Sequence, residues 1–144
     1  MTNCFFIIVL IGLLFYAAML CQGIAAPPVA TSPAEQEIFY QKDIAAFEAQ
    51  DAVHPPQKGI ILFTGSSIFR FWTYLEKDMN PLPVLNRAFG GARTWEVLHY
   101  MDRIVLPYHP AIIMYYCGSN DINYGARPED IAGRFTQFTQ RVHK

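Results

Sequence analysis

Hydrophobic and polar positions divide this chain into an apolar leader and a patterned remainder. From Phe5 to Leu20 the residues are apolar without a charge, broken only by Gly12, and Pro27-Pro28 ends any helix that the run begins. From Ala34 to Gln50, Ile38, Ile44, Ala45 and Phe47 recur among Glu, Gln and Lys, a spacing that predicts a surface helix. Asp51 to Lys58 reads as a loop fixed by Pro55-Pro56. Ile60-Ile61-Leu62-Phe63, bounded by Gly59 and Gly65, reads as a short strand buried on both faces. Pro83 to Asn86 is a second, weaker strand, and Ala111 to Tyr116 a third that again runs up to a glycine. Between them, Thr94 to Ile104 carries helical spacing (Trp95, Leu98, Met101, then Val105), stopped by Pro107 and Pro110. Pro128-Glu129-Asp130 opens a last helix with Phe135 and Phe138 on its buried side. No internal repeat, heptad or low-complexity tract interrupts the pattern.

Strands alternating with helices predict an α/β fold, a doubly wound parallel sheet with helices on both faces. Such sheets bind ligands beyond the carboxyl ends of their strands. The expected organisation is a signal peptide over residues 1–25, a linker over 26–33 and a single domain over 34–144. At about 16 residues the apolar leader is short for a spanning helix, and the small residues Ala25-Ala26 suit a signal peptidase. Secretion, or export to a periplasm, with cleavage near Ala25 is therefore expected; an uncleaved anchor is the alternative and the sole route to a membrane. Cleavage would leave Cys117 without a disulfide partner, at the end of an apolar run where a buried small hydrophobe is expected. A net charge of −1 gives no electrostatic footprint for nucleic acid.

Candidate chemistry lies just after each strand. Gly65-Ser66-Ser67 follows the first, Asn86-Arg87-Ala88-Phe89-Gly90-Gly91 the second, and Gly118-Ser119-Asn120-Asp121 the third. They supply a serine hydroxyl, a glycine N–H and a carboxamide, the parts needed to attack an acyl carbonyl and to hold the oxyanion that forms. Taken singly, each block is also an ordinary turn or helix cap. Their order resembles the SGNH (GDSL-type) hydrolases over about Phe47 to the end of the chain, as the N-terminal portion of that family. The family's usual Gly-Asp-Ser is here Gly65-Ser66-Ser67, with Arg70 and Trp72 downstream, so Ser66 stands where an aspartate is usual. The second block matches Asn-x₄-Gly and the third Gly-x-Asn-Asp. The resemblance implies Ser67 as nucleophile and Gly91 and Asn120 as oxyanion donors, with no cofactor and no metal.

The family's fourth block, a C-terminal Asp-x-x-His, is missing from its expected place. Asp51-Ala52-Val53-His54 has the spacing but precedes the first strand, whereas Ser67 follows it. About seven residues at ~3.3 Å each put more than 20 Å between them. His99 falls inside a helix, His109 at the opposite end of the sheet, and His143 in the last turn without a carboxylate partner. Scattered histidines with this spacing form no metal set. The sheet therefore reads as truncated after its third strand, with the base beyond Lys144.

The expected function is secreted hydrolysis of ester-linked acyl groups, on a small-molecule, carbohydrate or lipid ester, with residues 1–144 inactive alone. Two alternatives stand beside it. One is a non-catalytic module binding carbohydrate or lipid in the same cleft; the other is an unrelated α/β domain whose Gly-Ser-Ser loop binds phosphate. Arg70, Trp72, Arg93 and Trp95 would either line a cleft mouth or pack as an amphipathic helix. Oligomeric state has no signature in the sequence.

Overall fold

The computed structural model describes residues 33–144, with side chains from position 39 onward. The expected signal peptide and most of the linker lie outside the described residues. The elements run α1 (Pro33–Val53), β1 (Ile61–Gly65), α2 (Ser67–Arg70), α3 (Leu75–Asp78), β2 (Val84–Asn86), α4 (Thr94–Ile104), a 3₁₀ turn (Leu106–Tyr108), β3 (Ile112–Tyr116), α5 (Ser119–Asn123) and α6 (Pro128–Val142).

The strands form one parallel sheet in the order β2-β1-β3, with Leu62 opposite Leu85 on one side and Ile113 on the other. β1 is thus central, and the chain leaves it first toward β2 and then crosses back to β3. That reversal makes the doubly wound switch point at the carboxyl ends of β1 and β3.

Alternation along β1 assigns the two faces. Leu62, with Ile113, joins the main core formed by Tyr40 and Ile44 of α1, Val97, Tyr100, Met101 and Ile104 of α4, and Phe138 of α6. Phe63 points the other way, against Phe69 of α2 and Trp72, with ring centroids 5.1 and 5.8 Å apart. Helices therefore cover both faces of the sheet.

Two details differ from the sequence pattern. The first strand extends through Gly65, because the β1–β3 pairing continues to Gly65 opposite Tyr116. In α4 the deepest positions are Val97, Tyr100, Met101 and Ile104, while Trp95 and Leu98 are half-buried. That helix lies between the sheet, α1 and α6, so its apolar stripe is wider than one row of i, i+3 positions.

Candidate active site

β1 delivers the first block with a turn that only glycine can make. Gly65 has φ of +127°, and a Cβ there would stand 2.0 Å from the Tyr116 carbonyl oxygen of β3. The close approach lets the Ser66 N–H donate to that same oxygen at 2.9 Å. Ser66 precedes α2 and is buried; Ser67 begins the helix and is half-buried. Ser67 Oγ and the Ser67 N–H make no hydrogen bond among the described residues. A backbone N–H at the first position of a helix has no intrahelical partner, so this donor is open.

The second block holds α2 in place. Asn86 Nδ2 donates to the Phe69 carbonyl at 2.6 Å, and its Oδ1 accepts from the Ala88 N–H at 3.0 Å. Gly91 is exposed with φ of +80°, and its N–H makes no hydrogen bond among the described residues. The Tyr40 hydroxyl sits 3.2 Å from where a Gly91 Cβ would be. Burial, then the Glu96 carboxylate, push the Tyr40 phenol well above its ordinary range, so it remains an O–H donor at any physiological pH.

Asn120 joins the first two blocks. Its Nδ2 donates to Ser66 Oγ at 2.7 Å and to the Ala92 carbonyl at 2.9 Å. Because a carbonyl only accepts, the second contact fixes which end of the amide is nitrogen. The carboxamide thereby lies against the residue before Ser67 and the residue after Gly91. Both of its protons are engaged, and the one on Ser66 faces a neutral hydroxyl.

Asp121, which from sequence is a turn residue, is a buried anchor. Its carboxylate accepts from the Thr94 N–H at 2.9 Å, the Thr94 hydroxyl at 2.6 Å and Arg134 at 3.1 Å. These bonds tie α5 to the start of α4, and so fix Asn120 relative to Ala92. Cys117 is packed beside them, its thiol 3.2 Å from the Ala92 carbonyl; burial, then Asp121, push that thiol far above the ordinary range. Such a thiol is not a nucleophile.

None of the four histidines hydrogen-bonds to Ser66 or Ser67 among the described residues. His54, His99, His109 and His143 are all exposed. Asp51 does not orient His54: its carboxylate is bonded to Arg87 and accepts from the Tyr108 hydroxyl at 2.5 Å. Among the described residues no group of three or more His, Cys, Asp and Glu is placed to hold a metal. Nor is any described helix long and apolar enough to cross a membrane.

Arg93 and Trp95 pack together at the start of α4. Arg93 caps α4 with Glu96 and lies between the rings of Trp95 and Tyr124, 5.2 and 5.0 Å from their centroids. Trp72 packs on Phe63 and donates Nε1–H to Asp78 at 2.7 Å.

This fold has solved counterparts. The chain shares the fold of the GDSL-like hydrolases. A GDSL-like lipase from Bacteroides thetaiotaomicron superposes with a TM-score of 0.62 at 15% identity, over 69% of this chain and 52% of that one. A provisionally named acylhydrolase from Bacteroides fragilis gives 0.60 at 24% identity, over 69% and 51%. A provisionally named platelet activating factor from Streptococcus pneumonia gives 0.61 at 22% identity, over 70% and 47%. The chain spans about half the length of these structures. By sequence it matches no protein-family model and no curated protein.

Proposed function

We propose that this chain forms the nucleophile and oxyanion half of a secreted serine hydrolase acting on ester-linked acyl groups. The observation that carries the reading is the Asn120 carboxamide at the β1/β3 switch point. It bridges Ser66 and Ala92, the immediate neighbours of Ser67 and Gly91.

Ser67 Oγ attacks the acyl carbonyl carbon, its proton passing to a base as the new C–O bond forms. The carbonyl oxygen becomes an oxyanion, held by the open N–H groups of Ser67 and Gly91 and by Asn120. Asn120 can supply its proton because the partner it gives up is the Ser66 hydroxyl, a neutral acceptor. A carboxylate at position 66 would hold that proton more tightly. Collapse of the tetrahedral intermediate expels the alcohol, and water then releases the acyl group from Ser67.

The base is a histidine, oriented by an aspartate, which the described residues do not bring to Ser67. Residues 1–144 alone are therefore expected to turn over p-nitrophenyl acetate barely above background. The protein at its natural length hydrolyses it, and Ser67→Ala abolishes that turnover. Unchanged turnover in Ser67→Ala would refute the assignment. Export is part of the proposal and rests on the apolar run Phe5 to Leu20.

One observation favours a second reading, a non-catalytic binding module: both Asn120 protons are already bonded within the fold. In that case the protein at its natural length binds a carbohydrate or lipid and shows no ester turnover.

A further inference from the structure

Among the described residues, every arginine but one donates a hydrogen bond to a carboxylate. The exception is Arg70. Its nearest carboxylate, Asp43, stands 3.8 Å away, beyond hydrogen-bond distance, and both side chains are substantially exposed. That contact is a loose ion pair, and the guanidinium also lies 6.0 Å from the exposed Phe71 ring, so its fork of donors keeps room for a planar anion.

The fold makes room for this guanidinium. A Cβ on Gly90 would stand 2.7 Å from Arg70 Nη1 and 3.1 Å from its Cδ, so the side chain lies directly on the Gly90 backbone. Gly90, unlike Gly91, does not have a left-handed φ. What the glycine provides here is therefore space for Arg70 rather than a special backbone angle. The base of the side chain is fixed too, since Asn86 Nδ2 holds the carbonyl of Phe69, the residue before Arg70.

Two adjacencies place the charge. Arg70 is the i+3 residue to Ser67 on α2, one helical turn away, and its guanidinium covers the residue before Gly91. We propose that Arg70 is a specificity-determining residue that receives an anionic group, carboxylate or phosphate, carried by the ester bound at Ser67. The proposal rests on the hydrolase reading for the bound ester, and adds the charge that the ester bears. Asp43 is the internal competitor that the ligand's anion displaces.

The test is equilibrium binding by calorimetry, using the protein at its natural length in a Ser67→Ala background that prevents turnover. The probes are monomethyl succinate, methyl 3-phosphonopropionate and the uncharged methyl butyrate. At least one charged ester is expected to bind about tenfold or more tighter than methyl butyrate, with the order of the two telling carboxylate from phosphate. Arg70→Gln abolishes that preference. Asp43→Asn acts in the opposite direction and strengthens it, which a merely structural Arg70 would not produce. Gly90→Ala weakens it by pushing the guanidinium aside while leaving its charge. Equal binding of charged and uncharged esters, or a preference that survives Arg70→Gln, overturns the proposal. Turnover of p-nitrophenyl acetate by the unmutated protein is scored separately. An Arg70-dependent preference without turnover would leave anion recognition standing and remove the hydrolase reading.

Discussion

Ser66 and Ser67 differ by one position and by everything that surrounds them. Ser66 is buried, with its N–H on Tyr116 and its hydroxyl accepting from Asn120; Ser67 is half-buried, with its hydroxyl unbonded among the described residues. Ser67→Ala is therefore expected to remove esterase turnover in the protein at its natural length. Ser66→Ala removes only a support of Asn120 and is expected to cost about tenfold, equivalent to roughly 1.4 kcal/mol. Asn120→Ala, which takes away an oxyanion donor, is expected to lower kcat by about 10²–10³. Initial rates on p-nitrophenyl acetate rank the three. The neighbouring Asp121 belongs to stability instead. Asp121→Ala leaves the buried Thr94 N–H without its acceptor and removes the carboxylate paired with Arg134, and is expected to cost about 1–3 kcal/mol by urea denaturation. Sequence alone makes Asn120 a candidate but leaves Asp121 a turn residue, because Asn-Asp after a strand reads the same whether the carboxylate is buried or not. Tyr40 was legible in principle: with Ile44 and Phe47 it completes an i, i+4, i+7 row on α1.

Glycines in the two loops do different work for their elements. Gly65→Ala drives a Cβ into the Tyr116 carbonyl, a backbone group held in the β1–β3 ladder, and adds strain at a φ of +127°. That backbone cannot yield, so a loss above about 4 kcal/mol, or failure to fold, is expected. Gly90→Ala meets only the far end of Arg70, a flexible side chain, and is expected to change stability by less than about 1 kcal/mol. Thermal melts of the two variants check the contrast. The long helices and all the strands were readable from periodicity to within a few residues. α2, α3 and α5 were not, because helices of four or five residues hold too little pattern to show a period. Those short helices matter here, since α2 carries Ser67 and Arg70 and α5 carries Asn120.

Across the whole molecule, burial holds several acidic groups neutral. Tyr108 is pushed up to about 12, mainly by burial and then by its bond to Asp51, and Tyr40, Tyr115 and Cys117 are pushed higher, each chiefly by burial. In the unfolded chain these phenols and this thiol ionise near pH 10 and 9, while in the fold they stay protonated. Above those values the unfolded state binds fewer protons than the native one, so stability falls as pH rises, by about 1.4 kcal/mol per pH unit for each such group. Urea midpoints are therefore expected to hold steady from pH 7 to 8.5 and to drop steeply beyond pH 10. Strand number and parallel direction followed from the alternation of strands with helices. The 2-1-3 order did not, since it depends on which edge each crossover selects, and short apolar strands carry no mark of their neighbours.

The account stands on Ser67 as the nucleophile of a composite acyl-transfer site. Its most direct test is to treat the protein at its natural length with a fluorophosphonate and to map the adduct by peptide mass spectrometry. One adduct on the peptide containing Ser67, absent after Ser67→Ala, is the predicted result. No adduct, or one carried by Ser66 or by any other residue, would contradict it.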